Sequence, residues 1–413
     1  MSISEKKPTN DSSTRSVVPL WRNRDYLLLW SGQAISSVGR NASELAFPLL
    51  ILALTHSPVQ AGLLGAFESA AIFLTNLPAG VLVDRWDRKR TMILCDAGRA
   101  IALGSIPIAL MFGHLTIIQL YLVALLEGVF STFFNIAQTS CIPHVVAREQ
   151  ISAAVAQNEA TDGVVTLLGP SLGGALYGLA RTLPFLVDAV SYIVSVISLL
   201  FVRVAFQEKQ DAAPGKLHIE IATGLVWLWR NTLIRSIALL TGSLIFAYSG
   251  MSLIIILLAE QQHASSLTIG VIFALGGIGG IVGAVLGARL ERRFRFHRIV
   301  AGVCWIFVAL WPLYALAPAP LMLGLILAGI WLVDEIYDVS QISYRLAHTP
   351  DELRGRITSA YRVIVYSTLI SGKVLSGFLL QQLGTTWTIL LFWACFLVIA
   401  IVVTLVTLRS GSK

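Results

Sequence analysis

Charge is scarce in this chain. Of 413 residues, only 13% are Asp, Glu, Lys or Arg, while 56% are hydrophobic; a soluble domain carries about twice that charged fraction. A surface so poor in charge would leave large apolar patches in water. An ordinary soluble fold is excluded, and an integral membrane protein is implied. Cysteine is scarce as well: Cys95, Cys141, Cys304 and Cys395 are scattered without disulfide or metal spacing. The seven histidines fall at the ends of apolar runs or between them, and no H-E-x-x-H occurs. There is no G-x-x-x-x-G-K-[ST] either, which argues against an ATP-driven pump. No enzyme activity, cofactor or metal centre is therefore expected. Residues 1–19 lack the apolar stretch of a signal peptide and read as a disordered cytoplasmic tail.

What the chain has is apolar runs. A helix needs about 20 apolar residues to cross a bilayer. Twelve runs qualify, at about 26–54, 59–83, 92–112, 116–139, 155–180, 183–203, 233–259, 266–288, 299–316, 320–344, 357–383 and 386–408. An even number places both termini on one side. Of the 30 Lys and Arg, four (Arg40, Arg99, Arg362, Lys373) lie within runs and one, Arg181, falls on the far side; the other 25 share the side of the termini. The positive-inside rule makes that side cytoplasmic. The net charge of +7 is thus a topology signal, and no nucleic-acid partner is expected. Gly276–Gly287 carries G-x-x-x-G spacing, which within a span reads as close helix packing.

The longest polar break, 204–232, divides the runs six and six. This predicts an N-terminal bundle over 20–203, a cytoplasmic linker over 204–232, a C-terminal bundle over 233–408 and a cytoplasmic tail over 409–413. An offset of 203 positions relates the halves: Gly80 falls on Gly283, Lys89–Arg90 on Arg292–Arg293, Glu149 on Glu352, Gly169 on Gly372 and Gly174 on Gly377. Duplicated six-helix halves are a transporter architecture, with the substrate site at their interface near mid-membrane.

Residues 80–92, GVLVDRWDRKRTM, resemble the loop between helices 2 and 3 of the major facilitator superfamily through Gly80, Leu82, Asp84, Arg85, Arg88, Lys89 and Met92. Asp87 stands at the second glycine position, where a short Asx side chain can tolerate a left-handed backbone. LGPSLGG (168–174), with Gly169, Pro170, Gly173 and Gly174, is similar to an antiporter signature of the same superfamily. The layout is similar to the macrolide-efflux and enterobactin-exporter group of drug:proton antiporters. The resemblance implies an all-α membrane fold of twelve transmembrane helices in two pseudo-symmetric six-helix bundles. It also implies that Asp84 contacts the start of helix 11 when the inner gate closes. A helix N-terminus favours such a charge, and TPDE (349–352) resembles a capping box there. Arg85, Arg88 and Lys89 are expected to pair with Asp96 or other rim acids.

By the same resemblance, helices 1, 4, 7 and 10 line the cavity. Each carries polar residues on one helical face: Gln33, Ser37, Arg40 and Glu44; Glu127, Ser131, Asn135 and Gln138; Thr241, Tyr248 and Ser252; Asp334, Asp338, Gln341 and Arg345, with Glu335 to one side. Polar groups at this depth avoid lipid and mark pathways. Counting at ~1.5 Å per residue puts Glu44 and Glu127 near mid-membrane, where acids in a cavity wall could exchange protons. Two readings of Glu44 stay open, a proton site or a local pair with Arg40. Glu127 has no basic residue near it on its own helix. Glu68 and Lys373 lie at similar depth and are expected to form an ion pair that closes the outer gate. Asp96 and Arg99 read as a structural pair, and Asp188, Glu159 and Asp162 as solvated span ends. Proton-coupled members of the superfamily often carry an Arg on helix 4; here that position is Ala124, so coupling must rest on the acids. The expected function is proton-driven export of drug-like amphipathic molecules across the cell membrane by a monomer. The alternatives are a siderophore or metabolite exporter, a carrier of lipid-like solutes, and a non-transporting scaffold or receptor.

Overall fold

The computed structural model describes residues 19–204, 226–349 and 354–411. Among these residues there are helices and no strands. Capping residues start many of the helices. Asn23 opens α1 (Arg24–Thr55), accepting from the Tyr26 N–H. Ser57 opens α2 (Pro58–Arg85), where Pro58 supplies a helical φ at a position whose N–H is not needed. Asp87 opens α3 (Arg88–Met111) and Thr116 opens α4 (Ile117–Val145). α5 (Ile151–Leu179) and α6 (Leu183–Phe201) complete the first six.

The next span, α7 (Thr232–Gln261), is not continuous: it breaks at Ser249–Gly250 into Thr232–Tyr248 and Met251–Gln261. α8 (Ser266–Arg293) follows. α9 (Phe296–Leu316) is broken near Pro312, which cannot donate into the preceding turn. α10 spans Pro320–Ala347. Helix then runs from Arg354 to Gly411 with one bend, at Gly384. Gly384 has φ 77°, a left-handed conformation that costs glycine little, and it separates α11 (354–383) from α12 (385–411).

The twelve helices match the twelve apolar runs to within two turns. Nine helical segments among the described residues are long and apolar enough to cross a membrane by a strict criterion; one of them, Ile357–Thr407, contains both α11 and α12. The spans outside that set are α1 and α5, whose interiors carry Arg40 and Glu44, and Glu159 and Asp162. Their polar content hides them from a hydropathy criterion.

Antiparallel succession collects Arg85–Arg90, Arg148, Arg289–Arg298 and Arg345 at one end of the molecule, the basic rim. His56, His114, Arg181 and His263 lie at the opposite rim. Within the N-terminal bundle, α1 packs on α5 and α6, α2 on α4, and α3 on α4 and α6; within the C-terminal bundle, α8 packs on α10 and α9 on α10. A cluster of large rings fills the second bundle, where Trp311 lies 4.8 Å from Phe396 and donates through Nε1 to the Ile389 carbonyl at 3.1 Å.

The bundles meet where α2 crosses α11 and α5 crosses α8. Small residues set these crossings. A Cβ added at Gly62 would lie 2.7 Å from the Lys373 carbonyl oxygen, and one at Gly377 would lie 2.7 Å from that of Pro58. Gly174 is pressed against Ser266 and Gly270, and Gly270 against Pro170. All these contacts lie toward the opposite rim. Ser57 donates to Gln381 Oε1 there at 2.6 Å, and the Val59 N–H donates to the same oxygen at 3.3 Å. Most of the expected linker, and the TPDE capping box apart from Thr349, lie outside the described residues.

Candidate functional site

A cavity of ≈ 320 Å³ sits between the bundles at mid-depth. α1 contributes Arg40, Ser43, Glu44 and Phe47; α2 contributes Glu68, Ile72 and Asn76; α4 contributes Glu127, Ser131, Thr132, Asn135 and Ile136; α11 contributes Tyr366. Of the four helices expected to line a cavity, α1 and α4 border this one. α2 takes a place at this cavity that sequence reasoning did not assign, and α7 and α10 do not border it. Glu44 is exposed into it. No ion pair joins Arg40 to Glu44 among the described residues, so the local-pair reading of Glu44 fails.

Glu127 has a basic partner, which arrives from another helix. Arg99 of α3 donates through Nε to Glu127 Oε1 at 2.8 Å, and its Nη2 contacts the same oxygen. The guanidinium also approaches Asp96 at 3.6 Å and lies 4.1 Å over the Tyr192 ring, whose hydroxyl donates to Glu127 at 2.9 Å. The expected Asp96–Arg99 pair is present, but as part of a buried network: Arg99 is 3% exposed, Asp96 0% and Glu127 7%. Asp96 is therefore unavailable to the basic loop. Asp188 corrects a further expectation. It is fully buried, not solvated, and accepts from the hydroxyl of Ser43, a cavity residue. Gly39 makes room for it, since a Cβ there would lie 2.9 Å from Asp188 Oδ1. Glu159 and Asp162 are exposed, but they stand within α5 and not at its end.

Gln33 turns away from the cavity and donates to Ser195 on α6 at 3.2 Å. Gln138 is half-buried and outside the lining. In the C-terminal bundle a second polar cluster forms. The Tyr361 hydroxyl lies 2.8 Å from Thr241 and 3.1 Å from Gln341, Thr241 pairs with Tyr337 at 2.5 Å, and Arg345 lies 3.9 Å over the Tyr361 ring. Tyr248 stacks on Phe307, and its hydroxyl faces Asp334, with Asp338 beyond. Toward the basic rim, Arg362 of α11 donates to Asn76 at 3.4 Å and Tyr366 stacks on Phe73 at 6.1 Å.

Lys373 does reach across to α2, but its partners are the Gly65 carbonyl at 3.3 Å and the Ser69 hydroxyl at 2.8 Å; no ion pair with Glu68 forms within 4 Å. Glu68 instead lines the cavity. Lys373→Met should lower the unfolding temperature in detergent, by about 1.5–3 kcal/mol of stability for hydrogen bonds to a charged group. Adding Ser69→Ala should change little further, and additive losses would place the lysine's main partner elsewhere.

The basic loop also differs from expectation. Asp87 has φ −64°, not left-handed, and caps α3 by accepting from the Arg90 N–H at 2.8 Å. Lys89 donates to the Val202 and Leu200 carbonyls at 2.6 and 3.3 Å, satisfying the end of α6. Arg88 donates to the Ser140 carbonyl at 3.1 Å and lies 3.8 Å from Asp84. Arg85 is exposed, and a Cβ at Gly80 would meet nothing within 4 Å. The antiporter-like glycines serve packing: Gly169 faces Asn41, Gly173 the backbone of Ala42, and Gly174 reaches α8.

Comparison with known proteins agrees with this architecture. The family model of the Major Facilitator Superfamily matches residues 29–367. Among relatives, an enterobactin exporter, EntS, of Citrobacter koseri is 26% identical over 364 residues, covering 86% of this chain and 84% of that protein. An uncharacterized MFS-type transporter, YfiS, of Bacillus subtilis is 26% identical over 405 residues, 94% of each. Among solved structures, the nucleoside transporter NupG superposes with a TM-score of 0.75 at 14% identity, over 92% of this chain and 98% of that one. The inward-facing state of a bacterial ferroportin homologue gives 0.72 at 16% identity, again over 92% and 98%. With its twelve helices in two bundles around a polar mid-membrane cavity, the chain belongs to the Major Facilitator Superfamily.

Proposed function

We propose that this transporter exports drug-like amphipathic small molecules in exchange for protons, by alternating access. One observation carries the reading: an acid-lined cavity lies between bundles whose helices close at the rim opposite the basic one. Glu44, Glu68 and Glu127 share that cavity with one basic residue, Arg40, and this excess of acid at mid-depth suits a cationic or proton-bearing cargo better than an anionic one. Among the described residues Asp96, Glu127 and Asp188 are buried alongside one buried arginine, Arg99, which pairs with the first two. Ionisable residues inside a membrane bundle mark ion and proton pathways, and this group supports proton coupling.

The orientation follows from the positive-inside rule: the basic rim and both termini are cytoplasmic, in the cell membrane. The closed rim then faces outward, and the cavity is loaded from the cytoplasm. One chain supplies the cavity's lining, twelve residues from the N-terminal bundle and Tyr366 from the C-terminal one, which supports a functional monomer.

In an efflux-deficient host, the wild type should raise resistance to several amphipathic cations. Glu44→Gln should lose most of that protection, because Glu44 faces the cavity without an ion-pair partner whose loss would unfold the bundle. Equal susceptibility of the empty, wild-type and Glu44→Gln strains across the panel would count against drug export. Relatives named enterobactin exporters favour a second reading, export of a siderophore or other metabolite. Accumulation of such a metabolite in a deletion strain, without any change in drug susceptibility, would select it.

A further inference from the structure

A second and larger cavity, ≈ 1190 Å³, opens in the side of the C-terminal bundle between α7, α9, α10 and α12. It borders none of the central-cavity residues. Ile237 and Leu240 of α7 face Ile399 and Val403 of α12 across it. Its mouth is formed by Val398, Val402 and Val406, which are 52–60% exposed. These helices cross the bilayer, so the mouth meets acyl chains and not water. At the floor lies Ser340 of α10, 1% exposed, whose hydroxyl has no hydrogen-bond partner. An unpaired buried hydroxyl is costly, and the open side from which a partner could reach it is this crevice. At the basic-rim end stand exposed Arg295, His297 and Arg298, against one acid, Glu291.

An apolar slot at acyl-chain depth therefore ends in positive charge at headgroup depth. Basic pockets between transmembrane helices on the cytoplasmic side suit anionic headgroups. We propose that this crevice is a binding site for an anionic phospholipid of the leaflet at the basic rim. One acyl chain lies in the slot, the phosphate is held by Arg295 and Arg298, and an ester carbonyl accepts from Ser340. A zwitterionic lipid fits the slot but gains less at the rim.

Native mass spectrometry of the full-length protein tests the proposal, using phosphatidylglycerol and phosphatidylcholine of matched chains. The wild type should retain one phosphatidylglycerol that phosphatidylcholine does not displace. Removing basic charge near the surface costs roughly 5-fold in affinity for each arginine, so Arg295→Gln with Arg298→Gln should weaken phosphatidylglycerol binding about 25-fold and leave phosphatidylcholine unchanged. Leu240→Trp, which fills the slot without altering charge, should lose both lipids. Equal retention of the two lipids by the wild type overturns the proposal. So does undiminished phosphatidylglycerol binding in either variant. Should a variant fail to fold, the competition on the wild type alone decides. The site is independent of the cargo, so a failed export assay would leave this result standing.

Discussion

Arg99→Ala should be among the most destabilising single substitutions in the N-terminal bundle, costing about 3–5 kcal/mol. Asp96 and Glu127 both depend on this guanidinium, at 3.6 and 2.8 Å, and both are buried. Without it, two buried carboxylates lose the guanidinium that pairs with them, and Tyr192 loses the charge stacked on its ring. Replacing a whole buried ion cluster by neutral groups of similar volume is far cheaper than removing one member. Arg99→Met combined with Asp96→Asn and Glu127→Gln should therefore recover most of the lost stability, though not transport. Thermal unfolding in detergent separates the cases: Arg99→Ala should melt well below the triple variant. If Arg99→Ala melted with the wild type, the cluster would not be the buried ionic unit described here.

The second large effect concerns closure between the bundles. Gly62→Val and Gly377→Val should each abolish transport while leaving both bundles folded. The added Cβ would meet backbone carbonyl oxygens, of Lys373 and of Pro58, each at 2.7 Å. A backbone atom cannot rotate aside as a side chain can, so α2 and α11 must separate. The seal at that rim, including the Ser57–Gln381 hydrogen bond, should open. In a background with the four native cysteines replaced, Gln381→Cys should then react faster with a membrane-impermeant maleimide. Unaltered labelling in both variants would remove these glycines from the gate. Gly80→Ala makes a useful contrast, because nothing lies within 4 Å of a Cβ there; it should leave this closed rim intact.

Much of the fold was legible one residue at a time. Run length and charge spacing located all twelve helices, including α1 and α5, whose Arg40, Glu44, Glu159 and Asp162 depress hydropathy without preventing a span. The offset that relates Gly174 to Gly377 marked two positions that both turn out to sit at bundle crossings. The cavity acids Glu44 and Glu127 were legible from depth and helical face. The partner of Glu127 was not. Arg99 reads as the i,i+3 neighbour of Asp96, and nothing in its spacing says that it also reaches Glu127 on another helix. Lys373 was matched to Glu68 by depth, yet its ammonium settles on the next residue of the helix, Ser69. Asp188 lies near a span end in the chain but under Ser43 in space.

Composition, periodicity and charge spacing by themselves determined that this chain crosses a membrane twelve times in two related halves with acids at mid-depth. Those properties are local, because hydrogen bonding within each helix and the thickness of the bilayer decide them without reference to neighbours. Only the tertiary structure decided which carboxylates face the cavity, which are buried against Arg99, and where a lipid-sized crevice opens. These outcomes depend on the rotation and crossing of packed helices, where a shift of one residue turns a side chain by about 100° and exchanges one partner for another.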